Sequence, residues 1–152
     1  MGVFFNINKK LNNSKGSALV FVLLTFLIIV LFSTTVITLF NNNLKQATRE
    51  EDSIQAYYLA YSGAQMAFTS LIDNDNELFN QIKDGTISSL SENNIDFGNG
   101  EIDIEVTLSN ETNYNGWIKI VSTGTLDESN VSRKRTIYID SSNQKNVVWK
   151  EH

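Results

Sequence analysis

The chain contains no cysteine and no proline. Without thiols there is no disulfide staple and no thiolate metal site, a composition that suits an exported bacterial protein. Without proline, a long helical pattern never meets its usual breaker. Histidine is almost absent as well: the only one is His152, a terminal residue poorly placed to anchor a base or a metal. No Ser/His/Asp or Cys/His set can be assembled, and there is no glycine-rich phosphate loop. Charge is missing over one long stretch. No Asp, Glu, Lys or Arg lies between Lys15 and Lys45, and 18–40 is almost wholly apolar. These absences argue against an enzyme, and no catalytic residue, metal or cofactor is expected.

What remains after Lys45 is roughly 100 residues, enough for one small domain with a modest core. The formal charge is −5, unevenly spread. Lys9, Lys10 and Lys15 precede the apolar run with no acid among them, which leaves about −8 for everything from Ser17 onward. An acidic remainder of this kind argues against electrostatic binding to DNA or to anionic lipid, so no direct nucleic-acid partner is expected.

A helix needs about 20 predominantly apolar residues to cross the hydrocarbon of a bilayer, and 18–40 supplies them. The hydroxyls of Ser33, Thr34, Thr35 and Thr38 can bond back to carbonyls one turn earlier, so they do not bar the segment from lipid. Three lysines before the run, against Lys45 and Arg49 after it, place the N-terminus in the cytoplasm and the acidic remainder outside. A cleavable secretory signal is the competing reading. It calls for a small-x-small site after the apolar core, whereas this run ends in Val36-Ile37-Thr38-Leu39-Phe40 and then asparagines. The small residue comes before the run instead, as Gly16 directly after Lys15.

Lys15-Gly16-Ser17-Ala18-Leu19 resembles the processing site of the type IV pilin-like family, where a prepilin peptidase cuts after the glycine. The resemblance implies that Gly16 ends a leader, that Ser17 is the first mature residue and is N-methylated, and that Leu19 is the leucine common at the third mature position. Most pilins begin with Phe and carry Glu fifth; here those positions hold Ser17 and Phe21. A lone charge in hydrocarbon costs at least about 2.5–3.5 kcal/mol, so that Glu is thought to pair with a neighbouring subunit's terminal amine. Phe21 cannot do so. PilX-like minor pilins and the K-type minor pseudopilins of type II secretion also lack it, and the first mature residues here look like theirs.

Beyond the span, Ile54, Tyr57/Tyr58, Tyr61, Ala64, Phe68 and Leu71 recur three or four apart, which predicts a helix face, with Gln55, Ser62, Gln65 and Thr69 largely opposite. Within it, Ala56-Tyr57-Tyr58-Leu59-Ala60-Tyr61-Ser62-Gly63 resembles an A-x-Y-x-A-x-x-G segment of PilX-like proteins. Gly63 costs about 1 kcal/mol relative to Ala inside a helix, which calls for a close packing contact. With no breaker after Phe40, one helix of about 54 residues is expected over 18–71, roughly 80 Å long; the alternative is two helices joined at 41–43.

Asp73, Asn74, Asp75 and Asn76 form a turn. A short helical turn is expected over 77–82 and irregular chain over 84–100. Alternation predicts strands over 102–108, 117–126 and 131–140, and Val147-Val148-Trp149 could add a fourth at the edge. The connections at 109–116 and 127–130 are short enough for an antiparallel meander. Three strands need a partner for their apolar face, and the 54–71 helix is the one available. Asp73-x-Asp75-x-Glu77 begins like a calcium loop, but Leu78 and Asp84 stand where Gly and Glu belong. Arg133-Lys134-Arg135 reads as charge guarding a sheet edge. Asn110-Glu111-Thr112 and Asn130-Val131-Ser132 match a glycosylation pattern of high chance frequency.

The expected protein is α+β, a long N-terminal helix packed on a small C-terminal antiparallel sheet of three to four strands. Its parts are a leader at 1–16, a membrane helix at 17–40, the helix's continuation at 41–72, and a soluble domain at 73–152 with its sheet near 101–140. The resemblance implies a minor pilin or pseudopilin of a type IV pilus, type II secretion or DNA-uptake filament, acting in assembly initiation or at the tip. Its partners would be other pilin-like subunits through the N-terminal helix, the prepilin peptidase, an inner-membrane assembly platform and membrane lipid. Leu19, Phe21, Tyr57 and Gly63 are the expected helix-packing residues. The alternative is a signal-anchored surface binding protein that never polymerises.

Overall fold

The computed structural model describes residues 14–73 and 76–151. Lys9 and Lys10 of the expected leader, Asn74 and Asp75 of the expected turn, and His152 lie outside the described residues. Helix α1 runs Ser14–Ile72 and α2 Glu77–Lys83; the strands are β1 Ser89–Phe97, β2 Gly100–Leu108, β3 Ile118–Leu126, β4 Ser132–Ile139 and β5 Val147–Glu151. The chain divides into two compact units between Gln46 and Ala47.

In the first unit the described chain is all helix, and every side chain from Gly16 to Gln46 is exposed. The helix passes through Asn41, Asn42 and Asn43 without interruption. Asparagine costs at most about 0.7 kcal/mol per helical residue, and with no proline nothing stronger stops it.

In the second unit, α1 from Ala47 onward and α2 cover one face of a five-stranded antiparallel sheet in the order β1-β2-β3-β4-β5. The apolar alternation of β2 and β3 sets that face: Ile102, Ile104, Val106, Ile118, Ile120 and Leu126 are all buried, each worth about 1.5–3 kcal/mol when removed from water. Phe79 and Ile82 of α2 close the core beneath the end of α1.

Two expectations need correction. The sheet has five strands across 89–151, because β1 occupies chain read as irregular, while β5 is the edge strand that Val147-Val148-Trp149 offered. β1 escaped notice because its alternation is broken. Leu90 pairs Val106 and Ile95 pairs Ile102, yet the two are five residues apart, since a bulge between Glu92 and Ile95 inserts one residue. Asn94 sits there with φ 53°, and its N–H donates to the Asp103 carboxylate at 2.9 Å.

The buried face of α1 also differs from the expected one. Ala56, Leu59, Ala60, Ala64, Ala67 and Leu71 are buried, while Ile54 and Tyr58 are 57% and 62% exposed and Tyr61 lies at the margin. Small residues win because they let the helix backbone come close to the sheet. Gly63 lies where an added Cβ would strike Ile102 Cγ2 and Ser122 Oγ. Ser122 is itself fully buried, its hydroxyl without a hydrogen-bond partner among the described residues. Gly124 is the sheet's counterpart: a Cβ there would stand 2.5 Å from the Ala60 nitrogen and 2.6 Å from the Ala56 oxygen.

Candidate functional site

The apolar part of α1 is long and apolar enough to cross a membrane, and its polar atoms are accounted for within the helix. The Thr25 hydroxyl donates to the Phe21 carbonyl. Ser33 reaches Ile29 O at 2.8 Å, Thr34 and Thr35 reach Leu31 O at 2.8 and 2.9 Å, and Thr38 reaches Thr34 O at 2.9 Å. Backbone groups are paired along the ladder, so a lipid environment strands no donor. A single apolar helix of this kind is compatible with a single-pass membrane anchor.

Gly16 and Ser17 are exposed at the N-terminal end of the described part of α1. Gly16, Ser17, Val20, Phe21 and Leu24 line one shallow concave surface at this end. Leu19 and Phe21 are 64% and 69% exposed. Tyr57 and Gly63 belong to the other unit, so the residues singled out from sequence do not form one constellation.

Tyr57 has a different setting from an open packing surface. It stacks on Tyr61 with ring centroids 6.4 Å apart, and Tyr61 meets Trp149 at 5.4 Å. The Arg135 guanidinium lies 5.4 Å from the Tyr57 ring, 6.0 Å from Tyr61 and 5.7 Å from Trp149. This corrects the reading of 133–135 as edge charge: β4 is interior to the sheet, and Arg135 is 9% exposed under three aromatic rings. Cation–π attraction strengthens as water is excluded, so the cluster fastens α1, β4 and β5 together. Arg133 also turns toward the helix, its Nε donating to Ser53 Oγ at 2.8 Å.

The opposite face of the sheet carries a second cluster, built on the 109–117 connection. Tyr138 is only 2% exposed because Tyr114 stacks on it at 4.2 Å. The Lys150 ammonium lies 4.3 Å from the Tyr114 ring centroid. Glu111 receives the Lys119 ammonium at 2.6 Å and the Tyr138 hydroxyl at 2.8 Å. Those two donors, Lys119 first, hold the Glu111 carboxyl below its ordinary range, and the same bond raises Lys119. Burial pushes the Tyr138 hydroxyl up, with Glu111 adding to it.

The sign of the pH effect follows. A lowered carboxyl stabilises the fold above its unfolded pKa, and that contribution is lost as pH falls through the lowered folded value. The raised Lys119 acts at the other end, its share vanishing only as pH rises through the raised value. Glu111→Gln is therefore expected to melt below the native protein at neutral pH. The two melting curves should converge once the pH drops below the carboxylate range; thermal melts across that range check this. A constant gap at every pH would show that the carboxylate's charge contributes nothing.

Among the described residues there is no group of three or more His, Cys, Asp or Glu side chains placed to hold a metal. The two polar-aromatic clusters were missed in sequence because each joins segments far apart in the chain; only the i, i+4 spacing of Tyr57 and Tyr61 hinted at one. Comparison with family models, with curated proteins and with solved structures returns no match.

Proposed function

We propose that this chain is a membrane-anchored, pilin-like subunit of the minor pilin or pseudopilin kind, whose N-terminal helix serves first as anchor and then as polymerisation handle. The observation that carries the reading is the makeup of α1. A Gly-Ser bond lies just ahead of an uncharged stretch with internally paired hydroxyls, and an Ala/Gly face further along packs on an antiparallel sheet. In this reading Lys9, Lys10 and Lys15 keep the leader in the cytoplasm and the acidic unit lies outside. Prepilin peptidase removes 1–16, and the exposed apolar helix leaves lipid to pack with sibling subunits at the assembly platform. Ser33, Thr34 and Thr35 suit such packing, because short side chains allow close approach between helices. The absence of an acid at Phe21 favours a minor, assembly-priming place over a bulk one.

The test is the mature N-terminus. Intact-mass and peptide mass spectrometry of protein recovered from the membrane of a cell with a prepilin peptidase should find the chain starting at methylated Ser17. A chain still starting at Met1 favours the non-polymerising anchored protein, and one lacking 17–40 rejects both readings.

A further inference from the structure

The helices leave the β1 side of the sheet partly uncovered. An apolar groove of about 390 Å³ lies there between α1, α2 and the first two strands. Met66 and Leu78 wall it from the helices, Leu90 and Ile95 from β1, and Val106 lies at its floor. Met66 is 38% exposed, so the groove opens to water.

One charge lines it. Glu92 pairs with Ile104 across the ladder, and Ile104 is buried against the helices. Residues directly opposite in a sheet share a face, so the Glu92 carboxylate stands on the helix side. Glu101, Asp103 and Glu105 alternate with the buried Ile102, Ile104 and Val106 and take the other face. Among the described residues no Lys or Arg lines the groove, and the Glu92 side chain makes no hydrogen bond or ion pair. An inward-facing charge can guard a sheet edge, but here the bulge between Glu92 and Ile95 already interrupts the outer edge of β1.

We infer that the groove binds a small amphiphilic cation, a short alkyl or arylalkyl body that ends in a protonated primary amine. The volume decides against a protein segment. One turn of α-helix with its side chains, about 10–12 Å across and 5.4 Å long, fills about 400–600 Å³, more than the groove holds. An added strand finds the edge of β1 broken. Small-molecule sites run from about 300 to 1,000 Å³, with mostly apolar walls and few polar groups, and this groove has that form at the small end of the range. The charge sets the sign of the ligand. Its apolar body displaces water from Leu90, Ile95 and Met66 while the ammonium meets Glu92, and an anion of the same shape is repelled. Ser70, on the α1 wall, offers a hydroxyl to one of the remaining ammonium hydrogens. This site lies within the second unit and goes beyond the anchoring and assembly reading, which it does not require.

The only methionine besides Met1 is Met66, so isotopic labelling of the methionine methyls places an NMR signal in the groove itself. Full-length protein in detergent micelles is titrated with phenylbutylammonium, which should shift the Met66 signal saturably. Phenylbutanol, the same body without the charge, should bind about three- to fivefold more weakly, the size expected of an exposed ion pair, and phenylbutyrate more weakly still. Glu92→Gln should bring the cation down to the level of the alcohol. Ser70→Trp, which fills the groove, should abolish binding of both. The Glu92 and Ser70 side chains are exposed, and a thermal melt checks that each variant is folded. The absence of a saturable Met66 shift, a cation no tighter than the alcohol, or a cation advantage that survives Glu92→Gln each overturns the proposal. Binding untouched by Ser70→Trp does so too, since it places the ligand in the micelle. An N-terminus found uncut leaves the proposal standing.

Discussion

Replacing Gly16 with tryptophan should leave a full-length, membrane-bound precursor in cells where the native protein is fully processed. The expected change is from complete cleavage to none, read by intact mass and by the loss of methylated Ser17. An added Cβ at Gly16 meets nothing within 4 Å among the described residues, and the position is remote in sequence from the folded second unit, which begins at Ala47. What it alters is access of a peptidase to the backbone on the leader side of the bond. Gly16→Ala, with one methyl group added, should be cut in part. Processing of the tryptophan variant at the native rate would remove the leader assignment, and with it the polymerisation reading.

Gly124→Val should abolish the folded state of the second unit, and Gly124→Ala should destabilise it by about 3 kcal/mol, the upper end for an overpacked core. Domains of this size are stable by about 5–15 kcal/mol in total. A Cβ at this position would lie 2.5 Å from both the Ala60 nitrogen and the Leu59 Cβ. Since the obstacle includes helix backbone, no rotamer change relieves it, and α1 must lift from the sheet as a body. Urea titration followed by Trp117 and Trp149 fluorescence measures the loss, with Thr123→Ala on the other side of the strand as the mild comparison. If Gly124→Ala were no worse than that comparison, the close approach of helix to sheet would be wrong.

The elements that sequence reasoning found are those with a regular signature. A charge-free run without proline gave α1, and unbroken alternation gave β2, β3 and β4. β1 failed because one inserted residue at its bulge moves Ile95 and Phe97 out of step with Leu90. The helix face failed for a different reason. Weighting periodic positions by size picked Ile54 and Tyr58, whereas the contact is made by Ala56, Ala60 and Gly63, whose value lies in what they lack. Within the candidate site, the paired hydroxyls of the apolar helix were legible because their partners are one turn away. The ring cage around Arg135 was not, since it needs Tyr57, Trp149 and the order of the strands at once.

The meander has a further consequence for how the protein is made. Each strand pairs with the one before it, so a chain emerging from the ribosome can zip its sheet one hairpin at a time, with short loops to close at each step. The docking of Gly124 onto Ala56 and Ala60 closes more than sixty residues of chain, a non-local contact with a larger closure cost than any hairpin of the sheet. Until β3 is out, Ala56 and Ala60 lack the Gly124 backbone they pack against, and a nascent chain stalled before that point leaves part of the alanine face of α1 uncovered. Trp149 arrives last, and its contact with Tyr61 then clasps the final strand to the first element synthesised.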